Sequence, residues 1–296
     1  SEEPVKLGLA GNLADFEFLA SDGSVHRGDE LDYRGAKAGY ASQPGEVINY
    51  VDAHDNETLY DLTVLKLPRD TSMEDRVRMN TLSQATVMYS QAVPFWHAGT
   101  ELLRSKSLDR NSYNSGDWFN RIDFSGVENT FGSGLPPEAD NGEKWDLMAP
   151  LLEDPALKPD AKAMADAEGA ALDLLQTRKE VGLLRLGSAD LIGQKVSFPL
   201  GGSEAEPGII VMRIDDTVGK DVDRKHDGAL VLFNASPKES TQKLEELVGH
   251  DYSLAKSLAK GSDDRVKSTS FDSATGELTI PARTAAVLGE PQGSAK

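Results

Sequence analysis

The hydrophobic pattern of this 296-residue chain changes its period near Gly187. Between about residues 159 and 181, alanine, leucine and methionine form one apolar stripe, which predicts an amphipathic helix. Beyond Gly187, apolar and polar residues alternate in short runs separated by Gly, Pro and Asp. This pattern predicts antiparallel strands at 195–200, 208–215, 229–234, 277–281 and 284–289. We therefore predict two domains, residues 1–183 and 184–296, the second an antiparallel β-sandwich.

Within the first predicted domain, two apolar runs bracket two helical segments. The runs lie at 47–51 and 92–96, and the helices are predicted at 57–67 and 71–90. The order strand, helix, helix, strand predicts a parallel strand pair joined by a right-handed crossover. The first run is apolar on nearly every residue, so we expect a strand buried on both faces. Residues 1–46 are rich in glycine and are predicted to be loop with little regular structure.

Polar side chains follow each predicted strand, and ligands bind at the carboxyl ends of strands in folds of this kind. After the first strand come His54, Asp55 and Asn56. These residues are candidates for binding or catalysis. Alternatively, Asp55 or Asn56 is only the N-cap of the following helix, and His54 is a surface residue.

A second polar segment, at 111–121, places Tyr, Trp and Phe among Asn, Ser and Asp. Aromatic rings stack on the apolar faces of sugars, and the polar groups can bind their hydroxyls, so the segment is typical of a sugar site. Trp118 is the candidate for stacking. Asp117 and Arg121 are four residues apart and could instead form a surface ion pair.

Composition excludes several classes of function. The chain has 31 Lys and Arg against 49 Asp and Glu, a net charge of −18, which argues against nucleic acid or an anionic membrane as partner. It has no cysteine, which excludes disulfides, cysteine zinc sites and thiol nucleophiles. No apolar run is long enough to insert into a bilayer. The first residues lack the pattern of a signal peptide, so we expect a cytoplasmic protein or an internal piece of a longer one.

Several segments together resemble type I pullulanase, a starch-debranching member of the α-amylase clan (glycoside hydrolase family 13). The similarity covers nearly the whole chain. The His-Asp-Asn motif alone indicates the clan, whereas the combination indicates the debranching enzymes. The segments that carry it lie at residues 7–13, 47–59, 99–107, 115–121, 210–216 and 284–288.

The resemblance implies an α/β plus all-β fold. It predicts the C-terminal part of a (β/α)₈ barrel, with strands seven and eight and their helices, followed by an antiparallel β-sandwich domain. Enzymes of this family retain anomeric configuration with one carboxylate nucleophile and one acid/base. The Gly-Phe-Arg-Phe-Asp-like and Gly-Glu-Gly-Trp-like segments that carry those two carboxylates do not occur here. We therefore expect the chain to match the C-terminal third of such an enzyme and to be inactive alone.

The resemblance also implies residue roles. Asp55 matches the carboxylate that stabilises the transition state without transferring a proton, and His54 matches a neighbouring donor to the same sugar. Asp117 and Arg121 match residues that line the next subsite. The predicted substrate-binding set is His54, Asn56, Asp117, Trp118 and Arg121. Asp52 stands where a small or uncharged polar residue is expected, and the sequence assigns it no role.

The predicted function is the C-terminal portion of an extracellular or cell-surface pullulanase that hydrolyses α-1,6-glucosidic linkages in pullulan, amylopectin and limit dextrins. Its predicted partners are the α-glucan and the N-terminal remainder of the same polypeptide. The alternatives are a fragment of an isoamylase or α-1,4-acting amylase, and a non-catalytic carbohydrate-binding fragment. No cofactor or metal ligand is assigned, although the resemblance allows a structural Ca²⁺. The acidic residues at 215–223 are predicted to form a solvated loop.

Overall fold

The computed structural model describes residues 2–202 and 206–294. Most of their regular elements are short. The helices are α1 (Glu3–Leu9), α2 (Leu59–Lys66), α3 (Met73–Met88), α4 (Asp117–Asn120), α5 (Glu138–Asn141), α6 (Trp145–Leu152), α7 (Ala161–Glu180), α8 (Ala189–Lys195) and α9 (Lys256–Ala259). The first six strands are β1 (Glu17–Leu19), β2 (Val25–Arg27), β3 (Asp32–Tyr33), β4 (Ala36–Lys37), β5 (Ile48–Asn49) and β6 (Val93–Pro94). The others are β7 (Val196–Ser197), β8 (Ile209–Asp215), β9 (His226–Asn234), β10 (Ser240–Lys243), β11 (Ser253–Leu254), β12 (Ser270–Asp272), β13 (Glu277–Ile280) and β14 (Thr284–Pro291).

The three long helical predictions are confirmed as α2, α3 and α7. The predicted cap of α2 is wrong by two residues, because Thr58, and not Asn56, accepts a hydrogen bond at the helix start. Its Oγ1 lies 3.2 Å from the backbone nitrogen of Asp61. Asn56 instead has φ = 61°, a left-handed conformation that belongs to the loop before the helix.

The predicted parallel strand pair is confirmed, since β5 and β6 run in the same direction with Ile48 opposite Val93. The prediction that the first strand is buried on both faces is wrong. Ile48 is 60% exposed and its partner Val93 is 45% exposed, whereas the preceding Val47 is buried. Because β5 and β6 form only a two-stranded sheet, one apolar face of the pair is open to solvent.

The prediction of little regular structure in residues 1–46 is wrong. They contain α1, whose Leu7 and Leu9 are buried, and the hairpins β1–β2 and β3–β4. Helix α1 has only seven residues and carries Pro4 and Gly8, so its sequence is too short and too atypical for a helical period to stand out.

The C-terminal strands form two antiparallel sheets, as the alternating pattern predicts. One sheet has the order β11-β14-β9-β8-β7 and the other has the order β10-β13-β12. Strand β9 lies at the centre of the larger sheet, and its residues are buried from Asp227 to Asn234. Only residues 196–197 of the strand predicted at 195–200 form a strand, because residue 195 belongs to α8 and residues 198–200 lie outside any helix or strand.

The prediction of a solvated acidic loop at 215–223 is wrong for two of its residues. Asp216 forms an ion pair with Lys195, with 2.9 Å between Nζ and Oδ1 and both side chains fully buried. Asp216 also accepts from the backbone nitrogen of Asp223 at 2.8 Å. The carboxylate of Asp223 in turn accepts from the Gly182 nitrogen at 3.0 Å. These carboxylates are buried because they accept hydrogen bonds from backbone nitrogens, in the loop for Asp216 and at Gly182 for Asp223.

The chain divides into two compact units that are discontinuous in sequence. The sheet unit comprises residues 1–49, 85–95 and 173–296, and the helical unit comprises residues 50–84 and 96–172. The core of the helical unit is a cluster of buried side chains: Tyr60, Val64, Val77, Leu103, Leu108, Phe131, Met148, Leu157, Ala163 and Ala167. The predicted boundary between residues 183 and 184, and the sandwich and barrel arrangements, stay predictions.

One half-buried cation stabilises the sheet unit. The Arg178 guanidinium donates to the carbonyls of Met88 and Ser90 at 2.7 Å each, of Leu184 at 3.1 Å and of Ala92 at 3.2 Å. Carbonyls at the end of a helix such as α3 have no partner within the helix, so this side chain satisfies them. Burial lowers the pKa of Arg178 to about 10, which still leaves it charged at neutral pH.

We predict that Arg178→Met lowers the free energy of unfolding by about 3 kcal/mol or more, because it leaves several buried carbonyls without a donor. Denaturant unfolding followed by circular dichroism measures the loss. Arg185→Met is the matched control, because Arg185 is exposed and makes one long contact, 3.5 Å to the Lys179 carbonyl. Equal stability of the two variants would contradict this role for Arg178.

Candidate functional site

The loop at residues 53–57 presents the polar residues His54, Asp55 and Asn56 to solvent. The side chains of His54 and Asp55 are 86% and 73% exposed, and His54 Nε2 lies 3.5 Å from Asp55 Oδ2. Both groups are therefore accessible to a ligand. The helix-cap alternative does not hold for these residues, because Thr58 provides the cap of α2.

Asp52 fixes the start of this loop. Its Oδ2 accepts from the Leu59 nitrogen at 3.0 Å and from Thr100 Oγ1 at 2.8 Å. His97 Nδ1 lies 3.8 Å from the same oxygen. The side chain is buried and joins the two segments that follow β5 and β6 in sequence. The sequence assigned Asp52 no role, because its partners lie seven and 48 residues away.

Lys106 fixes the middle of the loop. Its ammonium donates to the His54 carbonyl at 3.1 Å and to the Asn56 carbonyl at 2.8 Å. The residue is almost completely buried. Burial lowers the pKa of Lys106, and the carboxylates of Asp61, Asp109 and Asp55 oppose that shift. Sequence reasoning missed this residue: it lies within a segment of the resemblance, but neither its spacing nor its type indicates where its ammonium binds.

Asp61 in turn fixes Lys106. Its carboxylate accepts from Ser105 Oγ at 2.5 Å and from the Lys106 backbone nitrogen at 2.9 Å. The side chain is fully buried, and this burial raises the pKa of Asp61 to about 6. Hydrogen bonds to Ser105 and to the Lys106 backbone act in the opposite direction and favour the ionised carboxylate.

The second predicted group of site residues lies at α4. Helix α4 begins at Asp117, after Gly116 with φ = 78°. Trp118 is exposed, but its ring is oriented by a 2.7 Å hydrogen bond from Nε1 to the Ser133 carbonyl. The Arg121 guanidinium lies 5.5 Å from the centroid of that ring. Its ion pair, at 3.4 Å, is with Glu128, so the alternative pair with Asp117 is not the contact that Arg121 makes.

Two arginines of the segment at 104–110 form hydrogen bonds with the loop at residues 53–57 and with helix α4. Arg104 donates to His97 Nε2 at 3.0 Å and to the Asn120 carbonyl, at the end of α4, at 2.7 Å. Arg110 Nε lies 3.3 Å from Asn56 Oδ1. All six predicted site residues belong to the helical unit. Side chains of the segment at 104–110 hold both the loop at residues 53–57 and helix α4.

The exposed groups have the chemistry of a sugar site. A carboxylate and an imidazole can bind neighbouring hydroxyls, and an oriented indole offers an apolar face for a ring. Within residues 2–202 and 206–294, no group of three or more His, Cys, Asp or Glu side chains could hold a metal ion. In the same residues, no helix is long and apolar enough to cross a membrane.

Comparison with known proteins identifies relatives of the chain. A family model described as α-1,6-glucosidases, pullulanase-type, C-terminal matches residues 126–291. Pullulanase 1, chloroplastic, from Arabidopsis thaliana is 41% identical over 293 residues, which are 97% of this chain and 30% of that protein. Pullulanase from Klebsiella pneumoniae is 38% identical over 293 residues, which are 98% of this chain and 27% of that protein.

A solved structure gives the same result. The crystal structure of apo pullulanase from Klebsiella pneumoniae matches with a TM-score of 0.92 and 38% identity, covering 99% of this chain and 31% of that chain. The protein therefore belongs to the pullulanase-type α-1,6-glucosidases, and it corresponds to their C-terminal region. It spans 30% or less of the length of these two curated relatives.

The raised pKa of Asp61 predicts a pH-dependent stability. Its folded pKa of about 6 is above the ordinary value of about 3.9, so the folded state binds this proton more tightly than the unfolded state. The contribution of Asp61 is therefore greatest at low pH and is lost as the pH rises through about 6. Relative to Asp61→Asn, the wild-type chain should lose about 2 kcal/mol of unfolding free energy between about pH 4.5 and about pH 7.

Urea unfolding at several pH values measures this difference. Asp146→Asn is the matched control, because Asp146 is an exposed carboxylate of the same unit. Its stability should follow the wild-type pH dependence. Parallel curves for wild type and Asp61→Asn would show that Asp61 does not titrate in this range.

Proposed function

We propose that this chain is the C-terminal portion of a pullulanase that hydrolyses α-1,6-glucosidic linkages in pullulan, amylopectin and limit dextrins. The observation that carries the proposal is the exposed His54–Asp55 pair on a loop whose backbone is fixed by buried charged groups. The family membership of the chain supports the same reaction class. An extracellular or cell-surface location stays a prediction.

In the proposed mechanism, Asp55 stabilises the transition state and transfers no proton. Its carboxylate accepts hydrogen bonds from sugar hydroxyls, and His54 binds the same sugar. These contacts strengthen as the ring flattens toward an oxocarbenium ion, so they favour the transition state over the ground state. Asn56, Asp117, Trp118 and Arg121 bind the remainder of the glucan. The nucleophile and the acid/base of a retaining mechanism come from the part of the parent protein that precedes this chain.

The N-terminal remainder of the parent is also the proposed partner of the open face of the β5–β6 pair. Ile48 and Val93 are directly opposite each other on that face. An exposed apolar strand pair in an isolated chain favours association with another chain. We therefore expect the 296-residue chain alone to self-associate.

Asp55→Asn in the intact parent enzyme should lower kcat by about 10²–10³ with little change in KM. The lost hydrogen bonds act mainly in the transition state. Initial rates of reducing-sugar release from pullulan give both constants. Asp166→Asn, which removes an exposed carboxylate from α7, is the matched control and should keep its activity. Retention of more than about a tenth of wild-type kcat by Asp55→Asn would refute the assigned role.

The 296-residue chain alone should release no reducing sugar from pullulan. Retaining hydrolysis needs two carboxyl groups about 5–5.5 Å apart across the scissile bond, and the motif segments that supply them in the family are absent. Light scattering on the same sample tests the expected self-association. Turnover at roughly 1–10³ s⁻¹, the usual range for enzymes, would refute the division of catalytic groups between this chain and the rest of the parent.

A further inference from the structure

Lys106 is a buried charged residue that the proposed reaction leaves without a role. Its Nζ contacts the carbonyl before Asp55, at 3.1 Å, and the carbonyl after it, at 2.8 Å. One ammonium therefore holds both residues that flank the candidate carboxylate. An ammonium has three donor hydrogens, so both bonds can form at once.

The loop has other side-chain contacts at Asn56, whose Oδ1 lies 3.3 Å from Arg110 Nε, and at Glu57, which pairs with Lys144 at 3.8 Å, but these do not involve Asp55. Asp55 and His54 are both largely exposed, and their nearest polar atoms are 3.5 Å apart. The backbone therefore sets the position from which the Asp55 side chain extends, because it fixes the Cα–Cβ bond. Asn56 has a left-handed conformation, with φ = 61°, which asparagine adopts more readily than other non-glycine residues. The bond from Lys106 to the Asn56 carbonyl restrains the backbone at this residue.

Lys106 is itself fixed at its backbone. Asp61 accepts from the Lys106 nitrogen and from Ser105 Oγ, and it lies on α2, directly after the loop. Asp52, at the other end of the loop, accepts from the Leu59 nitrogen. The loop is thus closed by Asp52 at its base and held at its centre by Lys106.

We propose that Lys106 is a positioning residue for Asp55. By holding the carbonyls of His54 and Asn56, its ammonium sets the position from which the Asp55 side chain extends toward the sugar. The order of the loop is a property of this chain alone. The effect on the reaction rests on the proposed function of Asp55.

The first experiment tests the order of the loop in the 296-residue chain. Backbone ¹⁵N relaxation should give order parameters of about 0.85 for Asp55 and Asn56 in the wild-type chain, and below about 0.6 in Lys106→Met. Lys162→Met is the matched control, because Lys162 is an exposed lysine of the same unit. Unchanged order parameters in Lys106→Met would overturn the proposal.

The second experiment is a double-mutant cycle in the intact parent enzyme. Lys106→Met should lower kcat by about 10-fold or more with little change in KM, since a displaced carboxylate affects mainly the transition state. In the Asp55→Asn background, the same substitution should cost less than about threefold, because Asp55 is already removed. A general loss of folding would lower activity equally in both backgrounds.

The outcomes separate the two proposals. Full activity of Asp55→Asn would refute the proposed function. An impaired Asp55→Asn, combined with equal losses from Lys106→Met in both backgrounds, would refute the role of Lys106 alone. If Lys106→Met does not fold, Lys106→Gln replaces it: its uncharged amide nitrogen ends one bond short of the Nζ position, so the contacts to the two carbonyls are weakened and the same criteria apply.

Discussion

Much of this structure depends on buried or half-buried charged side chains that bind the backbone. The regular elements are short, so many backbone carbonyls and nitrogens in the connecting segments have no partner in a helix or a sheet. Arg178 satisfies four carbonyls around the end of α3, and Asp216 satisfies backbone nitrogens in the loop before β9. Removing a charge of this kind leaves several buried polar groups unpaired at once, so each is far more costly to lose than an exposed ion pair.

In the candidate site, too, buried charged side chains bind the backbone. Its chemically useful groups, His54 and Asp55, are exposed, while the groups that fix their backbone, Asp52 and Lys106, are buried. This separation suits a binding site. Exposed groups can exchange water for sugar hydroxyls, and a fixed backbone means that little ordering entropy is lost when they do.

Membership in the pullulanase family explains two features that would be unusual in a complete domain. The parallel β5–β6 pair has only two strands and leaves Ile48 and Val93 exposed. The candidate site has the carboxylate proposed to stabilise the transition state, Asp55, but none of the motif segments that carry the other two carboxylates of a retaining glycosidase. Both features are expected of a chain that spans less than a third of the length of its relatives.

The sequence by itself determined the helices and strands whose hydrophobic pattern and end residues lie within a few positions of each other. Helices α2, α3 and α7 and strands β8, β9, β13 and β14 were predictable, because periodicity and helix-end residues act within a few positions. The motif residues of the site and the family were also visible in the sequence. Helix α1 was missed because seven residues with Pro4 and Gly8 carry too little periodic signal.

The tertiary structure alone decided which charged residues are buried or half-buried. Nothing near Lys106, Asp61 or Arg178 in the sequence distinguishes them from surface charges, since their partners lie up to 52, 45 and 90 residues away. The same is true of Asp216, which was predicted to be solvated and is paired with Lys195. A charge can be buried only when a partner is brought to it. That partner is chosen by the folding of distant segments, so local pattern cannot reveal it.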